Sequence, residues 1–136
     1  KEGAEVVCGG NAPTRPGYFF EPTVLARTRN DMTPVKSEIF GPVLCVQTFG
    51  DDDLDSVARA ANSTIYGLSG SVWTRDLGTA MKMVRKIDSG QVSVNMHAAI
   101  DPAMPFGGNK QSGWGREFGK EGLEPYLKTK GISMTW

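Results

Sequence analysis

Two cysteines, one histidine and a glutamate beside a Gly-Pro turn are the first candidates for chemistry in this sequence: Cys8, Cys45, His97 and Glu38. A cysteine attacks electrophiles as its thiolate, which forms readily only when a base or a positive charge lowers the thiol pKa. Cys8 ends a short apolar run, Cys45 lies within a longer one, and no histidine stands near either in sequence. We therefore interpret both cysteines as buried, inert residues.

The histidine and the cysteines also form no metal-binding pattern. Structural zinc and iron–sulfur sites need ligands clustered at short spacings such as CxxC, and the sequence has none. A lone histidine such as His97 is more often an incidental polar residue than a catalyst. The pattern therefore predicts no zinc or iron–sulfur site.

Glu38 lies in the stretch SEIFGPVL, directly before an apolar run. A carboxylate so close to a core strand is either a solvated charge at the edge of the strand or a group that holds a ligand. Since glutamate is seldom buried without a partner, the residues alone favour the solvated charge.

The composition is typical of one globular domain. The chain has 136 residues, of which 39% are hydrophobic and 22% charged, and its 15 basic and 15 acidic residues give a net charge of +0. Such a balance provides no basic field for nucleic acid or an anionic membrane surface. No apolar run approaches the roughly 20 residues of a membrane helix, and no signal peptide is apparent. We therefore expect a cytoplasmic protein, and the opening without methionine suggests a piece of a longer chain.

The first part of the chain contains two short runs typical of strands. EVVC at residues 5–8 and TVLA at residues 23–26 flank a loop rich in glycine and proline, so we expect them to pair as a long-looped antiparallel arm. The following stretch at residues 27–36 is polar and is predicted to be irregular.

A strand–helix–strand–helix–strand pattern follows. The apolar run at residues 43–49 predicts a strand covered on both faces, Asp51 to Asp53 suit a helix N-terminus, and Gly90 is the expected left-handed residue after the second helix. Strands are expected at residues 69–73 and 91–95. Asp76 can cap the second helix. Each helix has an apolar stripe, which consists of Leu54, Val57, Ala58 and Ala61 in the first and of Leu77, Ala80, Met81, Val84 and Ile87 in the second. This βαβαβ unit predicts an α/β fold with a parallel sheet and right-handed crossovers.

The loop at residues 96–117 follows the carboxyl end of the last strand of this unit. Ligands of open parallel sheets bind at that edge, and a loop of this length is usually functional or disordered. The apolar content of this loop argues against disorder and therefore favours a functional role. Beyond it, the sequence predicts a short helix beginning near Pro125 and a final strand at residues 131–136, which needs a partner edge.

Two motifs then identify a family. EIFGPVL at residues 38–44 and PFGGNKQSGWGRE at residues 105–117 resemble the C-terminal region of NAD(P)-dependent aldehyde dehydrogenases, and the flanking segments match in order along essentially the whole chain. The resemblance implies that residues 1–118 form the C-terminal part of the catalytic domain and residues 119–136 the oligomerisation tail. That tail would add a strand to a neighbouring subunit, so a homodimer or homotetramer is expected.

The resemblance also implies a reaction, in which a thiolate attacks an aldehyde, hydride passes to NAD or NADP, and water hydrolyses the thioester. The nucleophilic cysteine and the general base of the family belong to segments upstream of these residues. We therefore expect this chain to contain no catalytic residue and to be inactive alone. Two alternatives stay open, a non-catalytic binding or assembly module of the same fold and a relative that transfers the acyl group to coenzyme A.

By the same resemblance, Glu38 matches the glutamate that holds the nicotinamide ribose, and two hydrogen bonds accepted by one carboxylate suit a vicinal diol. Phe40 matches a residue packed near the nicotinamide ring, and in extended chain it would share a face with Glu38. Both are expected to position the cofactor.

The remaining family-matched residues lie in the long loop. His97, Ile100 and Phe106 match the wall of the substrate tunnel, together with Ala98, Ala99 and Met104, although Phe106 could equally be a core residue. Lys110 and Gly113 match carbonyls that bind potassium in some members, and Glu117 matches a buried proton path in some relatives or else pairs with Arg116 or Lys110. The loop resembles those of broad-specificity, betaine-aldehyde and arylacetaldehyde dehydrogenases. His97 is the only ring between Asn95 and Phe106, which disfavours a cage for a quaternary ammonium group.

Overall fold

The computed structural model describes residues 2–50, 53–97 and 99–136. The chain divides into two units, residues 1–65 and residues 66–136. The strands and helices in chain order are β1 (Glu5–Cys8), β2 (Thr23–Ala26), α1 (Thr33–Lys36), β3 (Val43–Cys45), α2 (Leu54–Ala61), β4 (Tyr66–Gly67), β5 (Ser69–Val72), α3 (Leu77–Lys86), β6 (Gln91–Val94) and β7 (Asn109–Lys110). None of the helices within these described ranges is long and apolar enough to cross a membrane.

The first unit contains a three-stranded sheet in the order β1–β2–β3. β1 and β2 are antiparallel, with Val6 opposite Leu25, which confirms the predicted arm. β3 runs parallel to β2, with Thr23 opposite Val43. A parallel pair needs a crossover connection, and residues 27–42 supply it.

The crossover contains α1, a single helical turn that corrects the prediction of an irregular segment. Pro34 lies in its first turn, where a missing N–H costs nothing, and Met32 before it is 1% exposed. The N-terminus is capped from a distance, because the carboxylate of Glu2 accepts hydrogen bonds from the Thr33 N–H (2.7 Å) and hydroxyl (2.6 Å). These bonds lower the pKa of Glu2, and they fix the chain just upstream of Glu38.

β3 is shorter than the predicted strand at residues 43–49, and the expectation that both faces are covered is wrong for the described residues. Leu44, Val46 and Phe49 are exposed. A continuous apolar run specifies a strand that can be buried, but the covering surface must come from other segments. Regular pairing with β2 ends at Cys45. One further backbone hydrogen bond joins the Val46 N–H to the Leu25 carbonyl (2.8 Å).

Both predicted helices of the βαβαβ pattern are confirmed, with their caps, but their apolar stripes are only partly buried. Ala58 and Ala80 are buried, whereas Leu77 and Met81 are 74% and 45% exposed, and Met83, outside the predicted stripe, is buried. The Asp53 carboxylate accepts a hydrogen bond from the Ser56 N–H (2.8 Å), whereas Asp51 and Asp52 lie outside the described residues. The Asp76 carboxylate accepts from the Thr79 N–H, and this bond lowers the pKa of Asp76. A helix cap of this kind satisfies an N–H that has no partner within the helix.

The second unit contains a parallel βαβ arrangement, β5–α3–β6, with β5 and β6 in register from Ser69 opposite Gln91 to Val72 opposite Val94. Ala80 and Met83 on α3 and Val72 and Ser93 on the strands are buried. The predicted order of the five elements is confirmed. The three strands of the predicted unit do not form one hydrogen-bonded sheet, however, because β3 pairs with β2 and β5 pairs with β6.

The long loop contains local structure that the sequence did not predict. β7 pairs antiparallel with β4, and Phe106 and Glu117 form an isolated antiparallel bridge. A 3₁₀ helix at Glu124–Tyr126 confirms the predicted helix at Pro125. The strand predicted at residues 131–136 is not formed in the single chain, where those residues have no regular secondary structure, and its formation against a partner stays a prediction. A strand forms only against a partner edge.

Candidate functional site

Glu38 lies in the connection between α1 and β3, at the amino end of β3. The turn that follows it is held tightly, because the Val43 N–H donates to the Gly41 carbonyl (2.8 Å) and the Thr23 N–H donates to the Pro42 carbonyl (2.8 Å). Thr23 itself is buried. The Gly-Pro turn therefore fixes the chain direction immediately after the EIF tripeptide.

The Glu38 side chain is exposed, and within the described ranges no protein group bonds its carboxylate. Phe40 is 93% exposed and its backbone has φ of 50°. The assumption that Glu38 and Phe40 share a face of extended chain therefore fails at Phe40. A left-handed phenylalanine with a solvent-facing ring is an unfavourable arrangement of the kind found at functional sites.

In the second unit, Asn95 makes the corner from β6 into the long loop. Its φ of 54° is in the left-handed region, which asparagine tolerates better than most residues. Its side-chain amide donates to the Thr74 carbonyl (2.9 Å) and accepts from the Thr74 N–H (2.9 Å), while its own N–H donates to the Val72 carbonyl (2.9 Å). The amide thus continues the β5–β6 ladder by one step.

The predicted wall residues follow this corner. His97 is exposed, and its Nδ1 lies 2.8 Å from the Ser71 hydroxyl. Ile100 is 55% exposed, whereas Phe106 is partly buried. Ala98 lies outside the described residues. The structure therefore brings Asn95, His97 and Ser71 together at the carboxyl ends of β5 and β6, as expected for a ligand-binding edge.

Glu117 is exposed, and its backbone exchanges two hydrogen bonds with Phe106 (2.8 Å and 2.7 Å). The neighbouring Arg116 guanidinium donates to the carbonyls of Gly108 (2.9 Å) and Gly115 (2.8 Å) and to the Asn109 side chain (2.6 Å). Arg116 thus holds the glycine-rich turn closed. The role of Glu117 in a proton path stays a prediction.

Lys110 and Gly113, the residues whose carbonyls match potassium ligands, lie in the same turn. Lys110 has φ of 53° and Gly113 has φ of 144°, and the Lys110 ammonium lies 3.8 Å from the Asp88 carboxylate. The turn between them is closed by a hydrogen bond from the Ser112 N–H to the Asn109 carbonyl (3.1 Å). Cation binding at these carbonyls stays a prediction.

The glycines here serve close backbone packing. A methyl group at Gly90 would overlap the carbonyl oxygen of Gly107, and one at Gly108 would overlap the carbonyl of Ser112. Gly67 is similarly close to the Asp88 carbonyl, 2.8 Å from where a Cβ would lie. The glycine-rich segment therefore follows a tight backbone path.

The cysteines differ from each other in exposure. Cys45 is partly buried, its thiol lies 3.5 Å from the Pro34 carbonyl, and burial raises its pKa. A raised pKa keeps the thiol neutral and unreactive. Cys8 is exposed, which corrects the prediction of a buried residue, because β1 is an outer strand of the sheet with all four residues exposed.

Comparison with known proteins places this geometry in a family. Residues 1–132 match the family described as "Aldehyde dehydrogenase family". Over the whole chain, 46% of residues are identical to the human cytosolic 10-formyltetrahydrofolate dehydrogenase, and 40% to the phenylacetaldehyde dehydrogenase of Pseudomonas fluorescens. The chain spans 15% and 27% of the length of these two proteins.

Solved structures give the same result. The chain is similar to an NAD-dependent aldehyde dehydrogenase from Sinorhizobium meliloti, with a TM-score of 0.90 and 41% identity over 98% of this chain and 26% of that one. It is also similar to the betaine aldehyde dehydrogenase of Staphylococcus aureus in complex with NAD+, with a TM-score of 0.87 and 43% identity over 95% of this chain and 26% of that one. The chain belongs to the aldehyde dehydrogenase family.

Proposed function

We propose that this chain is the C-terminal part of an NAD(P)-dependent aldehyde dehydrogenase that oxidises an aldehyde to a carboxylate through a cysteine thioester. The match to residues 1–132 and the 15% to 27% coverage of the relatives support this proposal. The observation that carries it is that Glu38 and Phe40, which match the family's cofactor-binding motif, both expose their side chains.

Exposed apolar side chains support the view that further chain covers these residues in the functional protein. Leu44, Val46 and Phe49 on and after β3, and Trp73 after β5, are all exposed. Apolar patches on soluble proteins mark surfaces that bind other segments or partners. We propose that the upstream part of the catalytic domain, which carries the nucleophile and the base, packs there.

Glu38 would bind the cofactor without taking part in bond making. Its exposed carboxylate can accept hydrogen bonds from both hydroxyls of a ribose, and the Gly41-Pro42 turn, held to β2, limits how far that carboxylate can move. Phe40, two residues further along the chain, offers an exposed apolar ring. NAD or NADP, when bound, accepts the hydride. Glu38 fits this cofactor through its exposed carboxylate, and Phe40 through its exposed apolar ring.

The substrate proposal takes His97, Ile100 and Phe106 as the wall of the aldehyde site, as the family resemblance implies. Relatives act on aldehydes as different as phenylacetaldehyde and betaine aldehyde, according to their names. Met96 and Ile100 are 50% and 55% exposed, and apolar surface of this kind suits an uncharged aldehyde. We therefore favour broad-specificity or arylacetaldehyde oxidation. Location in the cytoplasm stays a prediction, because human relatives include one cytosolic and one mitochondrial protein.

The first prediction concerns activity. The longer protein that carries these residues should oxidise phenylacetaldehyde with NAD or NADP, while the purified 136-residue chain should show no turnover, since it supplies neither nucleophile nor base. The absorbance of NADH or NADPH at about 340 nm measures the turnover of the longer protein and of the isolated chain. Turnover by the isolated chain would contradict the proposal.

The same assay separates the alternatives. A strong preference for betaine aldehyde would refute the substrate proposal. A requirement for coenzyme A in place of water would favour the acylating relative, and cofactor binding without turnover by the longer protein would favour a binding or assembly module.

The second prediction concerns residues 119–136, which we propose as the oligomerisation tail. Ile132, Met134 and Trp136 are exposed and lack regular secondary structure in the single chain, so they are available to pair with another subunit's sheet edge. The longer protein should be a dimer or tetramer, and a version ending at Phe118 should be mostly monomeric. Sedimentation velocity distinguishes these states, and an unchanged oligomer after truncation would refute the assignment.

A further inference from the structure

We propose that Ser71 and Gln91 are positioning residues that hold the substrate loop, here defined as residues 96, 97 and 99–104, in the shape that admits an aldehyde. The inference rests on the proposed function, because it takes this loop as a wall of the aldehyde site. Neither residue is in a motif that suggested a role. Both belong to the strands β5 and β6 beneath the loop.

Gln91 reaches from β6 to the loop. Its backbone is fixed, because its N–H donates to the Leu68 carbonyl (3.1 Å) and its carbonyl accepts from the Ser89 hydroxyl (2.7 Å). Its side-chain amide nitrogen donates to the Ala99 carbonyl. A rigid strand residue therefore determines the position of the loop backbone at Ala99.

The other end of the Gln91 amide distinguishes this contact from ordinary core packing. Its Oε1 is buried and has no hydrogen-bond partner in the part of the chain that the structure describes. Burying an acceptor without a partner lowers stability. We attribute the presence of an amide at this position, despite its unpaired oxygen, to the bond that its nitrogen makes with the loop.

Ser71 holds the loop at a second point. It lies on β5 in register with the buried Ser93, and its hydroxyl is 2.8 Å from Nδ1 of His97. The bond fixes the orientation of the imidazole and occupies one of its two nitrogens. The Nε2 atom is left as the polar group that the ring can offer to a substrate.

Together with the Asn95 corner just before the loop, these contacts hold alternate residues of the chain, at positions 95, 97 and 99. Asn95 is bonded to Thr74, His97 to Ser71, and Ala99 to Gln91. The apolar Met96 and Ile100 beside them are half exposed. The strands thus anchor the loop through polar groups while it keeps apolar side chains exposed for an aldehyde.

The third prediction is that loss of either anchor loosens the loop and weakens binding of bulky aldehydes. In the longer protein, Ser71→Ala and Gln91→Met should each increase hydrogen exchange of the loop amides by about threefold to tenfold, the range that one neutral hydrogen bond provides. KM for phenylacetaldehyde should rise by a similar factor, with kcat changed less than twofold. The small substrate acetaldehyde, which contacts less of the wall, should show a smaller rise in KM.

The controls separate a loop effect from general destabilisation. Gln91→Met also removes the buried Oε1, so a looser loop cannot be ascribed to a new unsatisfied group in the core. Ser71→Thr keeps the hydroxyl and should restore wild-type exchange. Gln47→Met and Ser63→Ala remove comparable side-chain bonds, to Asn30 (3.0 Å) and to the Ala60 carbonyl (2.7 Å), and should leave loop exchange and KM unchanged.

Loop exchange equal to wild type in both Ser71→Ala and Gln91→Met would overturn the inference, as would faster exchange with unchanged KM for phenylacetaldehyde. Failure of the proposed function is recognised separately. A wild-type protein with no turnover on any aldehyde refutes that function and the substrate role of the loop, while the exchange data still decide whether Ser71 and Gln91 hold it.

Discussion

Replacing Gly90 with alanine is expected to destabilise the protein by about 3 kcal/mol or more, the upper end of the range for overpacking. The added methyl would overlap the carbonyl oxygen of Gly107 and lie 2.7 Å from its carbonyl carbon. These are backbone atoms in a turn that Arg116 holds closed, so they cannot move aside as a flexible side chain would. Thermal unfolding of the longer protein measures the loss, with soluble yield as a second readout.

Gly115→Ala is the matched control from the same glycine-rich segment. No atom lies within 4 Å of the position that its Cβ would take, and its φ is not positive. A surface substitution of this kind should change stability by no more than about 0.5 kcal/mol. Equal unfolding temperatures for the Gly90 and Gly115 variants would show that the contact with Gly107 is not tight in solution.

Gly90 also shows where sequence reasoning fails. The DSG sequence favoured a left-handed residue ending α3, but Gly90 is not among the glycines with positive φ, and the helix ends at Lys86. Its requirement for glycine comes from Gly107, a residue distant in sequence. Local patterns report local geometry, and this constraint is long-range.

The two main helices could be predicted because their determinants are local. The apolar stripes of α2 and α3 and the caps Asp53 and Asp76 lie within the helices or directly before them. α1 was missed because its cap is the carboxylate of Glu2, far upstream in sequence. The parallel pairing of β3 with β2 and the β4–β7 pair were missed for the same reason, since strand pairing depends on partners that no local pattern specifies.

The candidate site shows a similar division. The two motifs identified Glu38, Phe40 and the residues of the long loop, because a family resemblance transfers positions directly. Ser71 and Gln91 carry no such signal, and only their contacts with His97 and Ala99 reveal a role. Asn95 offered one usable signal, since asparagine after a strand and before a long loop is suited to a left-handed corner.

Replacing Glu38 with alanine is expected to weaken NAD+ binding by about tenfold to a hundredfold, because a hydrogen bond to a charged group contributes about 1.5–3 kcal/mol. The exposed carboxylate has no protein partner in the described ranges, so its removal should hardly affect stability. The Glu38→Ala substitution should therefore lower the cofactor affinity and leave the unfolding temperature nearly unchanged. KM for NAD+ should rise in parallel with the dissociation constant.

Glu21→Ala supplies the control for a lost carboxylate in the same unit. Its side chain accepts a hydrogen bond from Asn11 (3.3 Å), and it belongs to neither family motif. Its variant should bind NAD+ like the wild type, which would exclude a general effect of net charge on cofactor affinity.

The most direct test of the cofactor role is a calorimetric titration of NAD+ into the longer protein as wild type, Glu38→Ala and Glu21→Ala. The dissociation constant should rise about tenfold or more only in the Glu38 variant, with all three proteins equally folded. The same dissociation constant in all three would contradict the assignment of Glu38 to the nicotinamide ribose.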